Sequence, residues 1–314
     1  MNTPGEMNGP GARAALILGV PVDDVTFAET VDLIFDLVAD GQATGRTHQV
    51  ATVNVDFIVN AVRDPALGAI LRRTSLSIPD GMPVVWGARL MRTPLRTRVA
   101  GADLVAAIAE RAASTGATVH LFGAAPGIAD RAAALLRDRF PGAAITSEAG
   151  PMIKRVDELD PTELDSLRAS RPDICCVAFG NPKQEQFIDR FADDLRIPVM
   201  IGVGGSLDFL VGEKRRAPAW MQRTGLEWIH RAGTEPRRLA MRYARDAFVF
   251  GPRLLVQIWR GRRGRRRGTE RIEEREGVTV VDRDPLTCSL DDLPDVVALE
   301  TVTAARTVAT RDVP

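Results

Sequence analysis

Short apolar runs alternate along this chain with stretches of helical periodicity. The runs are rich in Val, Ile and Phe and end in glycine or polar residues, which is typical of buried strands. Because their apolar positions are continuous rather than alternating, they indicate strands covered on both faces, as in a parallel sheet. The clearest runs are RTHQVATVN (46–54), TVHLFGA (118–124), DICCVAFG (173–180) and IPVMIGVGGSLDF (197–209).

Helical patterns fill the intervals between those runs. The first has Thr26 as its predicted N-cap and Glu29 three residues later, where a capping box places its acidic residue. Strands followed by amphipathic helices predict an α/β fold of Rossmann-like type, with a mostly parallel sheet and helices on both of its faces. The predicted apolar face of the first helix is Val31, Ile34, Phe35 and Val38, and later helical patterns are GADLVAAIAERAAST, PGIADRAAALLRDRF and PTELDSLRAS.

Composition narrows the class of protein. The 314 residues include 41 Lys+Arg and 41 Asp+Glu, so a net charge of +0 gives no overall attraction to polyanions. Of the 3 cysteines, Cys175 and Cys176 are adjacent in an apolar run, which fits neither a disulfide framework nor a metal site. No segment resembles a signal peptide or reaches the ~18 apolar residues of a membrane span. We therefore expect a protein of a reducing compartment, neither exported nor integral to a membrane.

Polar residues gather where the predicted strands end. In parallel α/β sheets, ligands bind at the carboxyl ends of strands, where helix N-termini present free N–H groups. Thr52 and Asn54 end one strand, Asp80 lies in a turn before a helix opened by Pro83, and Gln184 begins the helix after GNP. Local pattern alone also allows a bland interpretation, with Asp80 as a helix cap and residues 183–185 as a solvated first turn.

Two glycines separate a strand from a helix in LFGAAPGIAD. Gly123 and Gly127 there form a candidate diphosphate cradle. The spacing is not the G-x-G-x-x-G fingerprint of dinucleotide binding, so the signal is weak by itself. A different nucleotide-binding Rossmann-like enzyme, such as a dehydrogenase, is therefore an alternative, although the missing fingerprint speaks against it.

Six segments in order carry a resemblance over roughly residues 16–245. The chain resembles the WecG/TagA/CpsF family of bacterial glycosyltransferases. The resemblance implies transfer of a sugar, often N-acetylmannosamine or its uronic acid, from a UDP-sugar to a sugar on undecaprenyl diphosphate. Family members build teichoic-acid linkage units, common antigen, capsule or exopolysaccharide. The segments are TVNVDFIVNA, IPDGMPVVWGARL, VAGADL, LFGAAPGIAD, FGNPKQEQFI and GVGGSLDFLVGEKRRAPAWMQRTGLEWIHR.

Site roles follow from the resemblance, position by position. Asp80 matches the acidic residue of the family's PDG turn and is the implied general base. Thr52 and Asn54 are implied to line the pocket beside the acceptor, and Gln184 is another implied pocket residue. The family's C-terminal basic residues have several matches, among which the sequence does not choose: Arg231, Arg237, Arg238, Arg242 and Arg245.

The implied reaction fits these residue types. Inversion at an anomeric carbon needs a base for the acceptor hydroxyl, and a carboxylate serves. The departing diphosphate needs positive charge, which we expect arginines to supply without a metal or other cofactor. Asp282-Arg283-Asp284 is a weak candidate for a metal site, because it lies in a tail without a core. The scattered His48, His120 and His230 form no ligand spacing and are expected to be structural.

Arginines and large apolar residues are mixed near the C-terminus. An amphipathic helix ending at Trp259, followed by the run RGRRGRRRG, fits docking to an anionic membrane, where each basic residue adds about 1 kcal/mol. The protein is then expected in the cytoplasm, peripheral on the inner face of the plasma membrane. Two alternatives are a core-packing helix with a solvated linker, and a polyanion-binding protein. Binding of nucleic acid ranks last, because few aromatic residues interleave the arginines.

Three regions follow from these patterns. We expect a catalytic Rossmann-like domain over residues 13–212 and a basic, amphipathic helical appendage over residues 213–260, broken at Pro236 and Pro252. Residues 261–314 are expected to be an arginine-rich linker and a disordered tail, in which GVTVV is a candidate edge strand. The oligomeric state is left open, with a homo-oligomer as one alternative.

Overall fold

The computed structural model describes residues 14–151, 154–214, 216–234, 236–267, 270–275 and 278–283. Some side chains between residues 219 and 283 are outside this description. Within it, the strands are β1 (Ala14–Ile17), β2 (Val20–Asp23), β3 (His48–Val53), β4 (Leu76–Pro79), β5 (Thr118–Gly123), β6 (Ala144–Glu148), β7 (Ile174–Ala178), β8 (Val199–Gly202), β9 (Glu270–Arg275) and β10 (Val278–Arg283).

A parallel sheet of six strands organises the fold. Its order is β4-β3-β8-β7-β5-β6, and every neighbouring pair is parallel. The first hairpin, β1 with β2, lies against the β4 edge, where the amide of Ser77 donates to Asp23 Oδ2 at 2.8 Å. The predicted Rossmann-like α/β fold is therefore confirmed.

Helices cover both faces of this sheet. They are α1 (Phe27–Thr44), α2 (Val55–Arg63), α3 (Pro65–Arg73), α4 (Met82–Leu90), α5 (Gly101–Thr115), α6 (Ile128–Arg139), α7 (Asp165–Ser170), α8 (Lys183–Leu195), α9 (Ser206–Leu210), α10 (Ala219–Thr224), α11 (Glu227–Thr234) and α12 (Pro236–Arg267). Alternate residues of β7 show the two cores: Cys176 packs with α1, α5 and α6, whereas Cys175 packs with α7 and α8. Burial on both sides explains why the strands read as continuous apolar runs.

The capping box predicted for α1 is present. Thr26 Oγ1 accepts from the amide of Glu29 at 3.3 Å, and Glu29 Oε2 accepts from the amide of Thr26 at 2.9 Å. On the predicted apolar face, Ile34 and Val38 are buried in the core. Val31 and Phe35 are partly buried and pack against that core. Local chemistry therefore determines where this helix begins.

Some elements differ from the sequence pattern. The apolar run 197–209 is a strand only over Val199–Gly202, and its last part is α9. The pattern gave no strand for β1, β2 or β6, because each has only four or five residues and short runs carry little periodicity.

The long helix α12 passes through Pro252 without a break, contrary to prediction. Proline removes the hydrogen bond to the carbonyl four residues earlier. That residue is Phe248, which is 81% exposed, so the helix surface is open to water at this turn. Pro236, in contrast, is where the helix starts, a position that suits proline.

One polar side chain fixes α12 to the N-terminal hairpin. Gln257 Nε2 donates to the carbonyl of Leu16 at 2.9 Å, and its Oε1 accepts from the amide of Leu18 at 3.0 Å. Phe250 and Leu254 pack nearby against Gly87 of α4. This half of α12 is therefore packed onto the main domain.

The C-terminal end also differs from the expected linker. Residues 261–267 continue α12, since arginine is a good helix former, and β9 pairs with β10 as a hairpin that includes most of GVTVV. Residues 284–314, the rest of the predicted tail, lie outside the described residues. In the part of the chain that the structure describes, no helix has both the length and the apolar character needed to cross a bilayer.

Candidate active site

The carboxyl ends of β3 and β4 place two predicted site residues side by side. Val53 is paired with Pro79, and the amide of Asp80 donates to the carbonyl of Val53 at 2.8 Å. Asn54 and Asp80 are therefore the first residues beyond two neighbouring strands. An atom in the Cβ position of Gly81 would lie 3.8 Å from Asn54 Cβ, which shows how close the two loops are.

Thr52 and Asn54 both have structural contacts at this edge. Thr52 is 4% exposed, and its Oγ1 donates to the carbonyl of Gly202 at 2.8 Å, which joins β3 to β8. Asn54 is the N-cap of α2, and its Oδ1 accepts from the amide of Phe57 at 3.3 Å. These contacts hold both residues beside Asp80.

The bland interpretation allowed Asp80 to be a turn residue or the cap of α4, and the cap is wrong. The N-cap is Gly81, and no side chain bonds to the free amides of that helix. The backbone amide of Gly101, at the start of α5, instead lies close enough to the Asp80 carboxyl to lower its pKa. The carboxyl therefore lies near the N-terminus of α5, where free N–H groups favour negative charge.

Burial raises the pKa of Asp80 to about 6, although the positive charges of Arg98 and Arg231 act in the opposite direction. The carboxylate of Glu227 adds to the rise, and the Gly101 amide opposes it. At neutral pH the carboxyl is thus mostly ionised but still has substantial proton affinity. That combination suits a general base.

The C-terminal arginines differ in whether their guanidinium groups are already paired with a carboxylate. Arg245 is bound to Asp56 at 2.5 Å, so its charge is already paired. Arg242 lies 3.9 Å from the same carboxylate, and its Nε is buried without a hydrogen-bond partner among the described residues. The Nε of Arg231 is in the same situation, and its guanidinium lies 5.2 Å from the ring centre of Phe209. Arg231 is also the one that acts on Asp80.

Two of the predicted diphosphate-binding arginines are described only by their backbone. Arg237 and Arg238 lie in the first turn of α12, but their side chains are outside the described part of the structure. Their assignment stays a prediction.

Gln184 links the loops that follow β7 and β8. Its Oε1 accepts from the amides of Gly180 at 3.0 Å and Gly204 at 2.9 Å. Its Nε2 donates to Glu185 Oε1 at 2.7 Å, and Asn181 Nδ2 donates to Glu185 Oε2 at 2.9 Å. The two strand ends are therefore held together by one side-chain amide.

The first turn of α8 is buried, so the solvated first turn of the bland interpretation is wrong. Gln184 is 1% exposed and Glu185 is fully buried. Burial raises the pKa of Glu185 to about 8, despite its hydrogen bonds from Gln184 and Asn181. Glu185 is therefore largely protonated at neutral pH, because desolvation penalises its charged form.

Gly123 ends β5 with a φ of 100°, a conformation that favours glycine. A Cβ at this position would lie 2.9 Å from the ring of Phe179. The following helix α6 has Gly127 as its N-cap without any side-chain cap. The Ile128 amide donates to the Ala125 carbonyl at 3.0 Å, so the first-turn amides left for an anion are those of Ala129 and Asp130. Binding of a diphosphate there stays a prediction.

Several residues around Asp80 were missed by sequence reasoning. Gly101, Arg98 and Glu227 flank the carboxyl, and Arg216 lies within electrostatic reach of it. Gly101 belongs to VAGADL and Glu227 to RTGLEW, two segments that carry the family resemblance. Their presence in those segments was the available signal, but nothing local indicated that they meet Asp80.

Two histidines have a side-chain partner, whereas His120 Nε2 and His230 Nδ1 are buried without a hydrogen-bond partner among the described residues. His48 Nε2 lies 2.7 Å from Asp40, and His120 Nδ1 lies 2.8 Å from Thr146 Oγ1. Burial lowers the pKa of His120 to about 4, so this ring is neutral at physiological pH. The described residues contain no cluster of three His, Cys, Asp or Glu side chains arranged to hold a metal ion. Of the DRD sequence, Asp284 lies outside the described residues, so metal independence stays a prediction.

A parallel α/β sheet with a carboxylate and arginines at its carboxyl edge has the Rossmann-like arrangement in which ligands bind beyond the strand ends. The sequence profile described as "Glycosyl transferase WecG/TagA/CpsF family" matches residues 15–264. The chain belongs to this family and is a glycosyltransferase.

Two similar proteins are each named N-acetylglucosaminyldiphosphoundecaprenol N-acetyl-beta-D-mannosaminyltransferase. The protein from Bacillus spizizenii is 32% identical over 189 residues, which cover 60% of this chain and 72% of the relative. The protein from Staphylococcus aureus is 29% identical over 234 residues, which cover 74% of this chain and 90% of the relative.

Proposed function

We propose that this enzyme transfers an N-acetylmannosamine-type sugar, with inversion, from a UDP-sugar to a sugar carried on undecaprenyl diphosphate. The acceptor class is supported by the names of the two relatives, which specify an undecaprenyl-diphosphate-linked N-acetylglucosamine. The product would enter a cell-surface polysaccharide such as a teichoic acid linkage unit, common antigen, capsule or exopolysaccharide.

The single observation that carries the proposal is the environment of Asp80. Its carboxyl lies at the carboxyl edge of the sheet, beside Asn54 and with Arg231 nearby. In the proposed step, Asp80 takes the proton of the acceptor hydroxyl while that oxygen bonds to the anomeric carbon. The bond from that carbon to the diphosphate oxygen breaks, and the electron pair leaves with UDP. Attack opposite to the leaving group inverts the anomeric centre.

Positive charge on the other side of the cleft would stabilise the departing diphosphate. Arg231 is the best candidate, because its Nε has no protein partner among the described residues and its positive charge acts on Asp80. Arg242 is the second, because it is only 3.9 Å from its one carboxylate partner. Arginine binds phosphate oxygens with geometry and charge that suit this role. We propose this arrangement without a metal.

The remaining predicted residues would shape the pocket. Thr52 and Asn54 would define the acceptor side of Asp80. Gly123 would let the diphosphate approach the first turn of α6, and Gln184 would hold the loops after β7 and β8 in place.

A lipid-linked acceptor suggests an enzyme that works at a membrane surface, and α12 fits this requirement. Met241, Phe248 and Leu255 are spaced by seven residues, so they share one face of the helix, and their exposed fractions are 79%, 81% and 65%. Trp259, which is 51% exposed, lies one turn after Leu255, and the arginine-rich end of the helix follows it in sequence. We propose that it docks on the anionic inner leaflet of the plasma membrane.

Purified protein would be tested with a panel of UDP-sugars and a short-chain lipid-diphosphate sugar, with and without a chelator. We expect turnover with UDP-N-acetylmannosamine or a close relative, unaffected by the chelator. No turnover with any donor, by protein that binds UDP and folds normally, would contradict the proposed acceptor. Loss of turnover with chelator would contradict metal independence.

A further inference from the structure

An ion pair ties the C-terminal helices to the loop before α5. Arg98 Nη1 donates to Glu227 Oε2 at 2.7 Å. The two side chains are only 16% and 15% exposed, unlike most ion pairs of the described residues, which lie at the surface. Partly buried charged pairs are screened less by water and salt than exposed ones. This contact therefore fixes the start of α11 against the main domain.

A close backbone approach lies directly beside that ion pair. Gly225 is buried with a φ of 79°. A Cβ at this position would lie 2.4 Å from Met82 Cγ and 3.0 Å from Trp86 Cζ2. Met82 begins α4 two residues after Asp80. The segment can therefore approach the Asp80 turn only because residue 225 has no side chain.

The same short helix carries the arginine proposed to bind diphosphate. Glu227 and Arg231 are four residues apart in α11, so they lie on one face of it. Both act electrostatically on Asp80. Anchoring Glu227 to Arg98 thus fixes where the guanidinium of Arg231 lies relative to the carboxyl.

The negative charge of Glu227 also affects the proton affinity of Asp80. Arg98 lies close enough to Asp80 to stabilise its ionised form. An unpaired guanidinium there would be free to bind the carboxylate and reduce its affinity for a proton. Glu227 occupies Arg98 and adds a negative charge of its own. The base is therefore kept available for the acceptor proton.

We infer that Glu227 is a positioning residue of the transferase. With Arg98 and Gly225 it forms a clasp that holds α11 over Asp80 and keeps that carboxyl a working base. This inference rests on the proposed function of Asp80. The charged groups that face the carboxyl are Arg98, Arg216, Glu227 and Arg231.

Neutralising each partner of the ion pair should shift the pH–rate profile in opposite directions, which provides the test. In Glu227→Gln we expect kcat to fall at least roughly tenfold, with a smaller change in the KM for donor, and the acid limb of the pH–rate profile to move to lower pH. In Arg98→Gln the acid limb should move to higher pH, because a positive charge beside Asp80 is lost. Loss of a merely structural contact would not move the two limbs in opposite directions.

Two further variants serve as controls. Glu29→Gln removes another ion pair from the same loop, that of Arg96, and keeps the helix cap, so its profile should match the parent protein. Glu227→Asp keeps the negative charge on a shorter side chain, so its acid limb should lie between those of the parent and Glu227→Gln.

A readout without turnover separates this inference from the proposed function. Titration of the Asp80 carboxyl by 13C NMR should show a lower pKa in Glu227→Gln and a higher pKa in Arg98→Gln, even if no sugar donor is accepted. Trypsin should also cut within residues 216–234 faster in both variants. Folded variants with unchanged titration and unchanged cleavage would overturn the clasp, whereas absent turnover in the parent protein would contradict only the proposed function.

Discussion

The side-chain oxygen of Gln184 accepts a hydrogen bond from the amide of Gly204 at 2.9 Å, although Gln184 lies in the first turn of α8 and Gly204 in the loop after β8. The same oxygen accepts from Gly180 at 3.0 Å. Without this oxygen, two backbone amides next to the site would lose their partner. An unsatisfied buried group costs about 1–3 kcal/mol.

We predict that Gln184→Ala lowers the free energy of unfolding by about 2–4 kcal/mol and reduces turnover, because both loops lose their shared acceptor. Urea denaturation and steady-state kinetics would measure the two effects. Gln186→Ala, two positions along the same helix and partly exposed, is the matched control and should change the stability by less than about 0.5 kcal/mol. Equal stability of the two variants would show that the Gly180 and Gly204 amides do not depend on residue 184.

Asp80→Asn should separate activity from stability. We expect turnover to fall at least roughly 100-fold, since a general base contributes 10²–10⁴-fold. The pKa of Asp80 is raised from 3.8 to about 6 in the folded protein, so its ionised form opposes folding once the pH exceeds both values. The variant should therefore be more stable than the parent above pH 6, by roughly 1–3 kcal/mol.

Thermal melts at pH 4 and pH 7 would measure this effect, which should be small at the lower pH. Asp138→Asn, at an exposed position of α6, is the control and should change neither turnover nor the melting temperature. An Asp80→Asn protein with normal turnover would remove this residue from its proposed role.

Glu185 should make stability depend on pH. Its pKa is raised from 4.5 to about 8 by burial, so the folded state holds a proton that the unfolded state releases between these values. The stabilisation linked to this proton is complete below pH 4.5 and is lost as the pH rises to 8. We predict that Glu185→Gln, which cannot titrate, flattens the fall in unfolding free energy between pH 5 and pH 8. A parallel fall in both proteins would contradict a protonated Glu185.

The exposed face of α12 should control binding to vesicles. Replacing Phe248 and Leu255 together by serine removes two large side chains from this face, and we expect partition into vesicles with anionic lipid to drop at least roughly tenfold. Co-sedimentation would measure it. Leu135→Ser, on the exposed surface of α6, is the control. Turnover of a membrane-embedded acceptor should fall more than turnover of a short-chain one, and equal losses would argue against docking through this face.

The sheet could be predicted because its strands are buried on both faces. The runs containing β3, β5 and β7 are continuous and apolar, so the prediction did not depend on deciding which face of each strand is buried. The neighbourhood of Asn54 and Asp80 also followed from sequence, since carboxyl ends of parallel strands meet at one edge.

The rest could not be predicted, because it depends on contacts between distant segments. Gln184 and Glu185 look solvated in the sequence, and only the loop at Gly204 shows why they are buried. Arg98 and Glu227 are 129 positions apart, and charged residues are usually exposed. Pro252 indicates a helix break, but its helix lies at the surface.

The hydrogen bonds of Gln257 with Leu16 and Leu18 join the two ends of residues 15–264, the part of the chain that matches the family profile. A truncation designed to remove the basic end of α12 should therefore end after Trp259, because an earlier cut would strip the hairpin of its acceptor and donor. A fluorophore attached to the β1–β2 hairpin would therefore lie beside α12 and would report the docking proposed for that helix.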